Sequence, residues 1–186
     1  MNGKLRKTLK AWPAIAAATI GLCFLTRLAA DALGHPLPDQ DQVRQVVALL
    51  RHAFDSWRLL AASAIVVAQV LLMAPLLEEP VFRGLAWGLP TKRGRRGGYA
   101  VVIAAAIVSS AAFSAVHYID FQALFNGRGF GFLPLSDAFL ALFFFGLAQC
   151  WLYARTERIW CPMLNHFLFN LTNLVLVLVI PESWFQ

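Results

Sequence analysis

Five long apolar runs dominate the chain and leave it one broad architecture. They cover about 12–30, 57–79, 99–118, 134–154 and 160–180. Each approaches the roughly 20 residues that an α-helix needs to cross the hydrocarbon core of a bilayer. Backbone polar groups find no partners in lipid, so a crossing run of this length must be helical. The sequence therefore predicts an all-α membrane protein, a polytopic bundle of about five transmembrane helices.

The composition supports this assignment, because 59% of the residues are hydrophobic and 14% are charged, against about 45–50% and about 25% in soluble domains. Ten of the sixteen Lys and Arg residues lie in three clusters beside apolar runs. The clusters are Lys4, Arg6, Lys7 and Lys10, then Lys92, Arg93, Arg95 and Arg96, then Arg155 and Arg158. With five spans the clusters share one side, which the positive-inside rule makes the cytoplasm. The net charge of +6 thus indicates contact with the lipid bilayer, and no nucleic-acid partner is expected.

The first apolar run is predicted to remain as a transmembrane helix. A cleaved signal peptide is the alternative, because Ala30-Asp31-Ala32 resembles a small-residue cleavage site, but Arg27 and Asp31 make the far end of the run polar. Residues 34–40 are predicted to be a loop from their Pro and Gly content. Residues 41–57 predict an amphipathic helix that lies at the interface or covers the next helix. Its apolar face consists of Val43, Val46, Val47, Leu50 and Phe54.

Two adjacent carboxylates, Glu78 and Glu79, stand at the end of the second apolar run between Pro75 and Pro80. A charged side chain at the bilayer centre costs at least about 2.5–3.5 kcal/mol, so an ionisable residue there indicates a functional site. Each proline removes a backbone hydrogen bond and is expected to kink the helix. Such kinks are tolerated at membrane depth where the backbone lines a cavity or finds other partners.

Pairs of residues that include at least one polar group recur at i, i+4 spacing in three of the spans, which places each pair on one helix face. The pairs are Glu79 with Arg83, Phe113 with His117, and His166 with Asn170; Asn165 precedes His166, and Asn173 follows on the last face. If the helices pack together, these faces converge on one pocket. Each group also has a purely structural interpretation: Glu79 and Arg83 as an ion pair, His117 as an interfacial residue, and the asparagines as interhelical hydrogen bonds.

These residue types suit the activation of water. Glu78 has no cation one turn away, because position 82 is Phe, and a carboxylate of this kind can act as a general base. Histidine and amide donors can stabilise a tetrahedral oxyanion. Neither a Ser-His-Asp set nor an HExxH motif is present, although Glu78, His117 and His166 have the donor types that bind zinc. The three cysteines have no metal-like spacing and are interpreted as small core residues.

The order and spacing of these residues resemble the CPBP family, the CAAX-type (type II) prenyl proteases and bacteriocin-processing intramembrane glutamic endopeptidases. The family motif EExxxR corresponds to Glu78-Glu79-Pro80-Val81-Phe82-Arg83, FxxxH to Phe113-Ser114-Ala115-Val116-His117, and HxxxN to His166-Phe167-Leu168-Phe169-Asn170. EExxxR alone is a weak signal, whereas three motifs in order, each in an apolar segment, are a strong one. The resemblance covers about 75–173.

The resemblance implies an intramembrane glutamate-type protease. Its catalytic transmembrane core would be residues 58–186, preceded by a helix, loop and amphipathic helix in residues 1–57. Glu78 and His117 together would activate the hydrolytic water. His166 and Asn170 would bind the oxyanion, and Glu79 and Arg83 would support these residues. This mechanism requires no cofactor, and zinc stays open as an alternative.

The protein is thus predicted to be a small peptidase of a bacterial inner membrane with a cytoplasmic N-terminus. Its expected partner is a membrane-anchored peptide or protein substrate, as in peptide maturation, C-terminal processing or removal of a membrane sorting tail. A non-catalytic scaffold or bacteriocin-immunity protein on the same fold is the alternative. A carrier with carboxylate proton relays has little support without inverted repeats. The sequence leaves the oligomeric state open.

The predicted spans raise one geometric difficulty. Counted at about 1.5 Å per residue from the basic loops, His117 lies much deeper than His166. Tilted helices, the proline kinks or a shifted helix end must close this gap if the motifs form one site.

Overall fold

The computed structural model describes residues 3–38, 41–88, 98–120, 123, 126–129 and 131–179. Seven α-helices lie in these ranges: α1 (Gly3–Ala32), α2 (Asp41–Arg51), α3 (Trp57–Ala68), α4 (Ala74–Glu79), α5 (Gly98–Val116), α6 (Ala138–Thr156) and α7 (Trp160–Val179). Five helical segments are long and apolar enough to cross a membrane, with α3 and α4 belonging to the same one. The predicted all-α bundle of about five spans is therefore confirmed, and the chain is an integral membrane protein.

The second span is helical from Trp57 to Gly88, although its winding changes three times between α and π. Two π-helical segments interrupt it, a first π segment Gln69–Met73 before α4 and a second π segment Pro80–Gly88 after it. The prolines predicted to kink this helix, Pro75 and Pro80, lie just after the start of α4 and at the start of the second π segment. The π-helical winding on either side of α4 is a feature frequent at functional sites.

Close approach of small residues joins α5 to α6. A Cβ added at Gly146 would lie 2.8 Å from the Cβ of Ser110, so the two backbones meet where glycine leaves room. Small residues at such crossings are the usual device for packing membrane helices. Helix α1 packs on α6 and α7, and the indole Nε1 of Trp12 donates to the Thr172 hydroxyl at 3.2 Å.

The bundle has an aromatic core between α5, α6, α7 and the second π segment. Its members are Phe82, Phe113, Phe145 and Phe169, with Ala16 of α1. The ring of Phe113 meets that of Phe82 edge to face at 5.4 Å and that of Phe145 at 6.0 Å. This core supports the polar side chains described below.

The predicted amphipathic helix is shorter than expected. Helix α2 ends at Arg51, and a 3₁₀ turn, Ala53–Asp55, follows it. Val47 is buried, whereas Phe54 is 88% exposed and lies in the 3₁₀ turn beyond the end of α2, so it does not continue the α-helical face. The side chain of Val43 lies outside the described part of the chain. The helix had left its regular register by position 54, and this rotated Phe54 away from the others.

Helix α2 covers α3 and α7, one of the two placements that the sequence allowed. The guanidinium Nη2 of Arg51 donates to the Val177 carbonyl of α7 at 3.1 Å. The Ser63 hydroxyl of α3 donates to the Leu49 carbonyl of α2 at 3.2 Å. These bonds join residues before position 57 to the helices that carry the motifs.

Two predicted segments need separate comment. The basic cluster Lys92, Arg93, Arg95 and Arg96 lies outside the described residues. The fourth span begins at Ala138 rather than at 134. Before it the chain turns back on itself, because Ile119 and Phe132 form an antiparallel bridge and Leu133 N–H donates to the Tyr118 carbonyl at 2.7 Å.

Candidate active site

The two carboxylates of α4 have different environments. Glu79 is 0% exposed, whereas the side chain of Glu78 is 26% exposed. Successive residues of a helix point about 100° apart, so one carboxylate faces the bundle interior while its neighbour lies at the edge of that interior. The sequence shows the pair but not this division.

Glu79 is held between two partners. Its Oε1 accepts a hydrogen bond from His166 Nδ1 at 2.8 Å, and its Oε2 lies 3.2 Å from Arg83 Nε. The Arg83 guanidinium is also 0% exposed and lies over the Phe113 ring, 4.4 Å from its centroid. The ion pair one turn apart is the contact that the i, i+4 spacing indicated. A buried carboxylate between a cation and an imidazole has a fixed rotamer.

His166 has a carboxylate at each of its ring nitrogens. Nδ1 bonds to Glu79, and Nε2 lies 4.0 Å from Oε2 of Glu78. That Oε2 is buried and accepts no hydrogen bond from any residue that the structure describes. Because Nδ1 must donate to the Glu79 carboxylate, the Nε2 of a neutral His166 presents a lone pair toward Glu78.

His117 follows the last turn of α5 and is exposed. Its Nδ1 donates to the Phe113 carbonyl at 2.8 Å, so Nε2 is the acceptor in the neutral ring. Within the described ranges it has neither a hydrogen bond nor an ion pair with Glu78. The structure therefore places His117 near the core but not in direct contact with the carboxylate that it was expected to assist.

The Phe113 ring contacts the rings of both His117 and His166, which the sequence predicted to lie at different depths. Its ring centroid lies 4.8 Å from that of His117 and 6.0 Å from that of His166. Counted from the helix starts, Phe113 lies about 22 Å along α5 and His166 about 9 Å along α7. Since their rings are in contact, α5 and α7 must be offset or inclined relative to each other, as the sequence argument required.

Asn170 is engaged by the backbone of the first π segment. Its Nδ2 donates to the Val70 carbonyl at 2.8 Å. In that segment the N–H of Ala74 bonds to the carbonyl five residues earlier, Gln69. Pro75 would be the next donor, to Val70, but has no N–H. Asn170 supplies the missing donor and keeps a second N–H.

Several polar residues near this site were assigned no catalytic role from the sequence. Gln149 is fully buried in α6, and its Nε2 donates to Oδ1 of Asn165 at 2.9 Å. The available signal was a lone amide in the apolar stretch 138–150. Ser109 and Ser114 donate to the backbone carbonyls of Phe82 and Phe139, so their hydroxyls serve interhelical bonds.

The residues considered for zinc are not assembled as a three-ligand site. No group of three or more His, Cys, Asp or Glu side chains among the described residues is placed to hold a metal. Glu78 and His166 approach each other, but the Nδ1 of His117 is bonded to a backbone carbonyl. The cysteines Cys23, Cys150 and Cys161 are all free thiols.

Comparison with known proteins identifies the family. The chain matches the family model Rce1-like, described as type II CAAX prenyl endopeptidase Rce1-like, over residues 59–172. This range contains all three motifs, and it omits α1 and α2. The curated proteins and the solved structures gave no match. Because the match spans more than half of the sequence, the chain belongs to the Rce1-like family of type II CAAX prenyl endopeptidases.

Proposed function

We propose that this protein is an intramembrane endopeptidase in which Glu78 activates a water molecule for peptide hydrolysis. The observation that supports it most directly is the 4.0 Å separation between Glu78 Oε2 and His166 Nε2. The Rce1-like family membership supports the same reaction class.

The separation suits a bridging water. Two polar atoms 4.0 Å apart are too distant for a direct hydrogen bond, but a water about 2.8 Å from each can join them. The carboxylate takes a proton from this water as the oxygen attacks the peptide carbonyl. His166, whose Nε2 faces the same position, orients the water and can carry the proton toward the leaving amine.

Glu79 and Arg83 act on the reaction through His166. The Glu79 carboxylate fixes the tautomer and the orientation of the imidazole by accepting from Nδ1. Arg83 neutralises Glu79 in the interior of the bundle. This proposal makes His166 the partner of Glu78, whereas the sequence resemblance gave that part to His117.

His117 and Asn170 are proposed to contact the substrate. The exposed imidazole of His117 has its Nε2 directed away from the Phe113 carbonyl that occupies Nδ1. The second N–H of Asn170 is a donor for the tetrahedral oxyanion. The substrate is proposed to be a membrane-anchored peptide or protein, cleaved for maturation or removal of a C-terminal tail, in a bacterial inner membrane.

The test is cleavage of a membrane-anchored peptide library in liposomes by wild type and by Glu78→Gln. Gln keeps the volume of Glu but cannot take the proton, so we expect cleavage to be lost while the protein folds normally. Asp31→Asn, at the exposed end of α1, is the matched control and should cleave like wild type.

A zinc chelator is the second arm of the same experiment. Unchanged cleavage with the chelator agrees with the carboxylate mechanism. Inhibition that added zinc reverses would make the donors metal ligands instead. Equal cleavage by wild type and Glu78→Gln would contradict the proposal. A folded wild type that cleaves no peptide of the library would favour a non-catalytic scaffold.

A further inference from the structure

Six buried side-chain atoms on one side of the carboxylate pair have hydrogen-bonding capacity that no described residue uses. They are Arg83 Nη1 and Nη2, Trp87 Nε1, Ser110 Oγ, Gln149 Oε1 and Asn165 Nδ2. Trp87 is 6% exposed and the other four residues are 0% exposed. Each unpaired buried group costs about 1–3 kcal/mol, and lipid around the bundle offers no partner. These atoms therefore require a polar partner inside the protein.

Three of these residues lie on the helical segments that carry the site residues Glu79 and His166. Arg83 and Trp87 lie four and eight residues after Glu79, on the face of the helix that carries Glu79 inward. Asn165 directly precedes His166 in α7. The unpaired atoms therefore begin next to the Glu79–His166 hydrogen bond and continue toward the end of the bundle at Gly88.

Helix α6 provides the opposite side. Phe145, Gln149 and Tyr153 recur every four residues on one face. The ring of Phe145 meets that of His166 at 5.2 Å, Gln149 bonds to Asn165 at 2.9 Å, and the ring of Tyr153 meets that of Trp87 at 5.4 Å. Along α6 these contacts run from the Glu79 end of the second span to its Trp87 end. This face of α6 and the face of the second span that carries Glu79 and Trp87 therefore line one column.

Ser110 borders this column from α5. It lies against Gly146, one turn of α6 before Gln149 and Cys150. We call Arg83, Trp87, Ser110, Gln149 and Asn165 the polar column. Its unpaired atoms include donors of three residues and an acceptor of Gln149, while the Ser110 hydroxyl can do either. If the O and N atoms of the Gln149 and Asn165 amides are both exchanged, the two side chains still bond to each other and still leave one donor and one acceptor unpaired. The number of unpaired donors and acceptors therefore does not depend on the orientation of the amides.

We propose that the polar column binds a file of ordered water molecules that leads from the end of the bundle near Gly88 and Tyr153 to the Glu79–His166 pair. A water molecule accepts and donates, and buried waters typically make about three hydrogen bonds to otherwise unpaired groups. Water is the one small ligand that satisfies the mixed set of donors and acceptors without adding charge.

The file has a role if the proposed hydrolysis is correct. Each turnover consumes one water molecule, which supplies an oxygen to the new carboxylate and two protons to the new ammonium group. A site enclosed by lipid needs a path for this water. The polar column reaches His166 from the side opposite the exposed His117, so water arrives without passing the substrate.

Hydroxyl-radical footprinting by X-ray radiolysis tests the water file without any substrate. The full-length protein in lipid nanodiscs is irradiated, and modification of each residue is read by mass spectrometry. Radicals form from bound water, so a buried residue beside ordered water is modified far faster than one in a dry core. Cys150 and Trp87 report on the polar column, and an Ala16→Cys variant supplies a second buried thiol, at a position 4% exposed within the aromatic core, as the matched control.

We expect Cys150 to be modified several-fold faster than the thiol introduced at position 16, and Gln149→Leu or Ser110→Ala to reduce the modification of Cys150 and Trp87 several-fold. Ser63→Ala, which removes a buried hydroxyl bonded to Leu49 elsewhere, should leave the rate unchanged. Equal modification of Cys150 and the thiol at position 16 would overturn the proposal, as would rates at Cys150 and Trp87 unaffected by both column variants. If Gln149→Leu does not fold, the modification rates of the Ser110→Ala variant alone test the proposal. Because activity is not measured, failure here is distinct from failure of the proposed peptidase.

Discussion

At the scale of single residues, two neighbouring carboxylates have separate tasks because the helix turns between them. Glu79 has both oxygens engaged, by His166 and Arg83. Glu78 keeps one buried oxygen without a partner among the described residues. The same side chain is thus a fixed support at one position and a candidate base at the next.

Glu79→Gln should destabilise the protein even though the side-chain shape is preserved. It leaves the buried Arg83 without its counter-charge, and breaking a buried ion pair in this way costs about 3–5 kcal/mol. Adding Arg83→Met removes the orphaned charge, so the double variant should regain much of the lost stability. Unfolding in a denaturing detergent measures both.

In the Glu79→Gln variant and the double variant with Arg83→Met, cleavage activity should not follow stability. The double variant lacks the carboxylate that orients His166, so it should stay slow although it is stable again. Recovery of wild-type cleavage together with stability would show that Glu79 is a structural residue only.

Asn170 allows a structural and a catalytic role to be separated. Asn170→Ala removes the hydrogen bond to the Val70 carbonyl and should cost about 1 kcal/mol of stability. Asn173→Ala, one turn further along α7, is the control with a smaller expected effect. In a Pro75→Ala background the new N–H can bond to Val70, so Asn170→Ala should then cost less stability. Any loss of cleavage that persists there reports on the substrate.

At the scale of helices, the sequence predicted where each span lies but not how the second one is wound. Hydropathy located five spans because apolar length is a local property. The i, i+4 rule found Glu79 and Arg83 for the same reason. The contact of Glu79 with His166 joins residues far apart in the sequence, and it depends on α4 packing against α7. The π segments depend on tertiary partners such as Asn170, which no local pattern records.

The crossing of α5 and α6 is the contact between helices that a single methyl group should disturb most. In Gly146→Ala the new Cβ would lie 2.8 Å from the Ser110 Cβ. The helices must separate, and overpacking of this kind costs about 1–3 kcal/mol. Gly21→Ala, where no atom lies within 4 Å, is the matched control and should gain about 0.5–1 kcal/mol from the better helix propensity of Ala. Detergent unfolding midpoints compare the two, and equal midpoints would mean that the crossing is loose.

At the scale of the whole molecule, α1 and α2 are joined to the region that matches the family. Trp12 bonds to Thr172, and Arg51 bonds to the Val177 carbonyl, so both N-terminal helices contact the C-terminal half of α7. The division of the chain at residue 57 stays a prediction. Because α7 also carries His166, residues outside the family match stabilise the helix on which the site is built.

The distribution of Lys and Arg predicts how the whole molecule is oriented in the bilayer. Five spans put the N-terminus, the segment 89–97 and the α6–α7 connection on one side, and all three contain Lys or Arg clusters. The positive-inside rule then predicts that this side is cytoplasmic. Single cysteines at position 4, 95 or 158 in a variant lacking the native thiols should react with an impermeant maleimide only after the cells are opened. A cysteine at position 186 should react in intact cells. Labelling of position 95 from outside would reverse the orientation and would move the entrance of the proposed water file to the opposite face of the membrane.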